Sequence, residues 1–158
     1  MNRNSKMNFE FHQPLTLVGF DYGTKSIGVA VGQTITRTAE SLKTVKAIDG
    51  MPNWKQIDLI VKEWLPDAFV VGIPFSMDGS EQAITLLARD FSDQLRERFR
   101  IPVYEMDERL TSVEARSQLF EKRGFRGLKK DLVDTKSAQI ILEDWMSSRR
   151  QRTEDRRQ

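Results

Sequence analysis

Three carboxylates in this chain sit where the local sequence leaves little room for a solvated charge. Asp21 closes an apolar run and, by the period-two rule of a strand, shares its face with Leu17 and Gly19. Asp134 falls on one helix face with Ala138, Ile141, Leu142 and Trp145. A third comes from the neighbours Asp107 and Glu108, which follow an extended run ending at Met106 and precede Arg109. Adjacent residues at a strand end face opposite ways, so only one of this pair can join Asp21. An inward carboxylate wants a proton, a base or a metal. Each of the three also has an ordinary explanation. An Asp before Tyr22-Gly23 is good turn chemistry, an Asp in the first turn of a helix is favoured by the dipole, and an acid beside Lys or Arg makes a surface ion pair worth little.

Three carboxylates on separate elements form a donor set suited to hard divalent cations, because Mg²⁺ prefers oxygen ligands and keeps several waters. Two such ions about 4 Å apart activate a water and stabilise the leaving oxygen in phosphodiester hydrolysis. Around Asp21, Gly23 and Gly28 flank Thr24-Lys25, so the backbone can turn sharply and a phosphate can approach, with Lys25 as a point charge to meet it. A basic segment carries Arg116, Lys122, Arg123, Arg126, Lys129 and Lys130 against Glu121. With Gly124 and Gly127 for mobility and Phe120 and Phe125 for stacking, it suits a nucleic-acid backbone. Read alone, the same segment is equally a solvated charged loop.

The composition narrows the chemistry further. The chain has 158 residues, 39% hydrophobic and 30% charged, with 25 Lys plus Arg against 23 Asp plus Glu, one His and no Cys. That is one domain's length, and a chain of this size buries roughly 70% of the surface its unfolded form exposes. Without cysteine, thiol nucleophiles, redox dithiols and Cys-rich zinc sites are excluded, and with His12 alone a His-dependent triad is disfavoured. The polar opening 1–8 leads into no apolar signal segment and no run approaches the roughly 20 residues that span a bilayer, so a soluble cytoplasmic protein with no membrane partner is expected.

The elements that must hold these residues follow from the hydrophobic pattern. Strands are expected at 15–21 and 26–32, joined as a hairpin, and a third at 39–45. A helix begins near Asn53 with Ile57, Ile60, Val61 and Trp64 on one face and ends before Pro66. The apolar run 68–73 does not alternate, as in a strand covered on both faces. Ser80-Glu81 opens a helix to about Phe99 carrying Ile84, Leu87, Phe91 and Leu95, the stretch 101–106 is extended, and helices are expected over about 111–122 and 132–148. This order implies an α/β fold, a mixed central sheet flanked by helices, over 15–148. Residues 1–14 form a flexible N-terminal segment, and the Arg-rich 149–158 a solvated, disordered tail.

Four segments in order resemble the YqgF or RuvX family of pre-16S ribosomal RNA nucleases and Holliday junction resolvase-like proteins. They are Phe20-Asp21-Tyr22-Gly23-Thr24-Lys25-Ser26-Ile27-Gly28-Val29-Ala30, Gly72-Ile73-Pro74-Phe75-Ser76-Met77-Asp78-Gly79-Ser80-Glu81, Asp107-Glu108-Arg109-Leu110-Thr111 and Asp134-Thr135-Lys136-Ser137-Ala138. The resemblance implies an RNase H-like fold and a nuclease dependent on Mg²⁺ or Mn²⁺. In it Asp21, Glu108 and Asp134 are the metal-binding catalytic carboxylates, and Lys25 and Arg109 lie close to the scissile phosphate. It also implies trimming of the 5′ end of 16S ribosomal RNA during ribosome maturation, with Holliday junction resolution as the alternative. Arg37, Glu40 and Ser137 depart from the family's pattern, the first two on the substrate side.

Two other readings compete. Asp21-Tyr22-Gly23-Thr24 with Ile27-Gly28 also resembles the first phosphate loop of actin-like ATPases, but those bind nucleotide between two domains and this length supplies one. An RNA-binding ribosome-assembly factor without turnover would use the same carboxylates as caps and ion-pair partners. Nothing in the pattern marks a dimer face or a 2′-hydroxyl contact.

Overall fold

A computed structural model describes residues 13–110 and 130–157, the stretches 130–134 and 150–157 by backbone alone. The chain forms β1 (Thr16–Asp21), β2 (Ser26–Gln33), β3 (Thr38–Ile48) and the two-residue β4 (Met51–Pro52). Helix α1 (Trp54–Trp64), β5 (Ala68–Ile73), α2 (Ala83–Phe99), β6 (Val103–Asp107), a 3₁₀ turn (Glu108–Leu110) and α3 (Lys130–Arg157) follow. The strands make one mixed sheet in the order β4-β3-β2-β1-β5-β6. β1 to β4 pair antiparallel, while β5 runs parallel to both β1 and β6. The mixed sheet flanked by helices is the architecture expected from the element order.

Each face of the sheet buries its own core. On one, Phe20, Val29, Val71 and Ile73 pack against Ile57 and Ile60 of α1 and Ala88, Phe91 and Leu95 of α2. Phe91 is the hub, with ring centroids 5.3 Å from Phe20, 5.3 Å from Tyr22 and 5.9 Å from Trp54. Offset and tilted pairs of this kind add to the area they bury. On the other face, Leu17, Ala30, Val70 and Met106 meet Ala138, Ile141, Leu142, Trp145 and Met146 of α3. The helix lies close because Gly32 has no side chain: a Cβ there would come within 2.8 Å of Leu142 Cδ2. β5 is buried at all six positions, as its unbroken apolar run demands.

Two boundaries, the start of α2 and the end of α3, differ from the sequence pattern, and α1 keeps the one expected. α2 begins at Ala83 rather than near Ser80, because the Ser80 hydroxyl donates to Asp78 (2.6 Å) within the preceding loop. The Gln82 backbone N–H instead donates to Thr85 Oγ1 (3.0 Å), and the Thr85 hydroxyl donates back to the Pro74 carbonyl. α1 starts where Asn53 accepts from the Gln56 N–H, and Leu65 stops it in the left-handed region, φ 47°. α3 does not stop at Ser148; it continues to Arg157, because the Arg, Gln and Glu residues there are adequate helix formers with no Gly or Pro to break them. The helix expected over 111–122 lies outside the described residues, as do Lys122, Arg123, Arg126 and Lys129 of the basic segment; Lys130 is described only as the first backbone position of α3.

Candidate active site

Strand register brings the first two carboxylates together. Asp21 is the last residue of β1; it lies opposite Gly28 on β2 and opposite Gly72 on β5. Residues in register on neighbouring strands share a face, so Asp21 and Gly72 both face α3. Leu17, two pleats earlier, is buried against that helix, and a Cβ on Gly19 would touch Leu142. Asp21 is half-buried at this rim.

β6 decides between Asp107 and Glu108. Asp107 lies opposite Ile73, whose side chain belongs to the α1 and α2 core, so Asp107 leaves the strand on the face away from Asp21. Met106 faces α3 and Glu108 follows it two positions on, carried back over β5 by the 3₁₀ turn. The Glu108 carboxylate occupies the space where Gly72 has no side chain: a Cβ on Gly72 would stand 2.8 Å from Glu108 Oε1. Asp21 and Glu108 thus flank one glycine position on one face of the sheet. Asp134 belongs to α3 by its backbone, two turns before the Ile141 that packs over Gly72, and its side chain lies outside the described part. Among the described residues no three acidic, His or Cys side chains gather into a metal-binding group.

Asp107 has a different role. It accepts from Arg109 Nη2 (2.6 Å), from Nε (3.1 Å) and from the Arg109 backbone N–H (2.9 Å). The hydrogen-bonded guanidinium holds its carboxyl below the usual carboxylate range. Arg109 is in turn laid over the Phe75 ring, 5.3 Å from the centroid, and Arg89 sits at the same distance from that ring. The Arg109 charge is therefore fixed between Asp107 and the loop after β5, whereas Lys25 stands exposed on the β1–β2 turn. The clasp stabilises the turn that carries Glu108 only while Asp107 is ionised. Its contribution is present above the ordinary carboxylate pKa and is lost as the pH falls through the depressed one. Asp107→Asn is expected to lower the melting temperature at neutral pH, and thermal melts of variant and wild type are expected to converge as the pH falls below about 3.9.

Gly72 escaped the sequence reading as a site residue. The signal was there: an isolated glycine inside a Val- and Ile-rich buried strand marks a close approach by something else, which here is Glu108.

Comparison with solved structures identifies the fold as RNase H-like. Thermus thermophilus RuvC in complex with a Holliday junction substrate superposes with a TM-score of 0.52 at 15% identity, covering 85% of this chain and 95% of that one. The yeast mitochondrial Holliday junction resolvase superposes at 0.50 with 7% identity, covering 96% and 87%. The family model RuvX, described as Holliday junction resolvase, matches residues 15–148, and the chain belongs to that family. A relative from Haemophilus ducreyi is 54% identical over 84% of this chain and 96% of its own length. One from Aeromonas hydrophila is 56% identical over 83% and 94%. Both carry the name "Putative pre-16S rRNA nuclease". The family read from the four motif segments is therefore correct. Among the described residues no helix is long and apolar enough to cross a membrane.

Proposed function

We propose that this chain is a metal-dependent endonuclease that cleaves structured nucleic acid, and that its substrate is the precursor of 16S ribosomal RNA, trimmed at its 5′ end. The observation that carries the reading is the pairing of Asp21 and Glu108 across Gly72, in a protein whose relatives at more than half identity are named as nucleases of that RNA.

The donor chemistry fits Mg²⁺ or Mn²⁺: the two gathered side chains offer only hard oxygen atoms, and the chain has no thiol. Asp21, Glu108 and Asp134 would hold the ions. When bound there, the ions would supply activation of a water and charge neutralisation on the leaving oxygen. The protein's own part is positional. β1 and β5 fix Asp21 in the sheet, the Asp107–Arg109 clasp fixes the turn bearing Glu108, and α3 carries Asp134 along the same face. Lys25 at the β1–β2 turn supplies a cation to the phosphate. Lys122, Arg123, Arg126, Lys129 and Lys130 supply further backbone charge, and Arg109 acts beside the cut.

Junction resolution is the second reading, favoured by the description of the matching family. The deciding experiment offers the protein a labelled precursor 16S 5′ fragment and a four-way DNA junction, each with Mg²⁺, Mn²⁺ or EDTA. Metal-dependent cutting of the RNA is expected, and cutting of the junction alone would replace the substrate. Binding of RNA with no cutting of either would leave an assembly factor without turnover.

A further inference from the structure

Beyond Asp21, the face of the sheet that carries the carboxylates continues into a groove. Gly28 lies opposite Asp21 and Thr44 lies opposite Gly28, so the row Gly72, Asp21, Gly28, Thr44 crosses four strands on one face. Two positions further along, Ser26 lies opposite Lys46, and at the end of the hairpin Ile48 lies opposite Met51. Alternation keeps all of these on the face of Asp21. Of these, Ser26, Thr44, Lys46, Ile48 and Met51, with Lys25, line an open groove of about 800 Å³ that begins beyond Gly28.

The lining has a definite chemistry. Lys25 and Lys46 are exposed and make no ion pair among the described residues; Asp49 is the groove's one acid among them. Ile48 and Met51 are 76% and 72% exposed, an apolar surface that the sheet's own packing does not use. The frame is rigid. The Ala47 N–H donates to the Lys25 carbonyl (2.9 Å), the Gly50 N–H to the Thr24 carbonyl (2.9 Å) and the Asn53 N–H to the Lys46 carbonyl (2.8 Å). These bonds tie the turn after β1 to the β3–β4 hairpin, so both cations are carried by backbone already ordered before a ligand arrives.

We propose that this groove holds single-stranded RNA on one side of the cleavage point, its phosphates met by Lys25 and Lys46 and its bases laid on Ile48 and Met51. The charge matches a phosphodiester backbone. A duplex presents its phosphates outward and hides its base faces, whereas an unpaired strand exposes both to a surface that is cationic and apolar side by side. Ser26 and Thr44 are among the lining residues, and a hydroxyl is a group that can pair with a 2′-hydroxyl. The proposal deepens the nuclease reading and rests on it, since it takes the scissile phosphate to lie at Asp21 and Glu108.

The test uses the full chain and a labelled single-stranded RNA oligomer, with DNA of the same sequence and the RNA duplex as comparisons. Affinity is measured by fluorescence anisotropy over a range of salt, and cleavage in Mn²⁺. Lys46→Ala is expected to weaken RNA binding and to reduce the slope of log K against log salt by about 0.7, the loss of one phosphate contact on a single strand. Paired replacement of Ile48 and Met51 by Ser is expected to weaken binding with the slope unchanged. Both variants are expected to keep the wild-type melting temperature and kcat while KM rises. Unchanged affinity and slope in Lys46→Ala overturn the groove, and so does an absence of binding by the wild type. Equal affinity for DNA, or an equal loss on the duplex, overturns its assignment to unpaired RNA. The nuclease reading fails separately, if the wild type cuts nothing while Lys46→Ala still weakens binding.

Discussion

Asp21→Asn is expected to lower metal-dependent cleavage at least about 100-fold while leaving nucleic-acid affinity unchanged or raised. Groups that merely orient a metal ligand cost 10–100-fold when removed, and a ligand itself costs no less. The substitution preserves shape at a half-buried rim position, so the sheet should fold as before. Removing one negative charge also reduces repulsion of the phosphate, which is why binding is not expected to fall. Single-turnover cleavage and anisotropy on the same preparation check both halves. Equal losses of cleavage and binding would reject a metal site at Asp21. Glu108→Gln is expected to behave alike, and Asp107→Asn is not, since its carboxylate faces away and is held by Arg109.

Gly72→Ala is the second large effect. The new Cβ would stand 2.8 Å from Glu108 Oε1, 3.2 Å from Glu108 Cγ and 2.6 Å from Ile141 Cδ1. Two penalties follow, and they separate. Crowding Ile141 overpacks the α3 interface and is expected to cost about 1–3 kcal/mol of stability. Displacing Glu108 is expected to raise the Mn²⁺ concentration for half-maximal cleavage by about 10–100-fold. Adding Ile141→Val deletes the Cδ1 atom in the way, so the double variant should regain its melting temperature but not its metal affinity. Manganese titration and thermal melting of the two variants read these effects apart. Recovery of both would mean that Gly72 serves only the packing of α3.

Much of this architecture is legible in the amino-acid order because each element has a single strong local cause. The hairpin is announced by Gly23-Thr24-Lys25 between two apolar runs, β5 by six apolar or glycine residues without alternation, and α1 and α2 by helical spacing around Ile57, Ile60, Phe91 and Leu95. The missed pieces have non-local causes. β4 is two residues long and exists only because β3 extends to Ile48 and supplies a partner. Whether Asp107 or Glu108 reaches Asp21 depends on which face Met106 takes, and that depends on the parallel register with β5, thirty or so residues away in the chain. Asp21 could be placed on a face from Leu17 and Gly19, but not beside Glu108, because nothing local says that Gly72 stands between them. The end of α3 beyond Ser148 is illegible for a different reason: that part of the helix carries no apolar stripe and so leaves no periodic trace.

The pairing across Gly72 also ties the proposed cutting centre to completion of the whole sheet. Asp21 closes β1, the first strand of the chain, whereas Glu108 is positioned only by β6 lying beside β5 and by the 3₁₀ turn that follows. Contacts between residues so far apart in the chain depend on the whole sheet, which small domains of this size form cooperatively. On the proposed assignment, a partly unfolded chain therefore has no competent cutting centre.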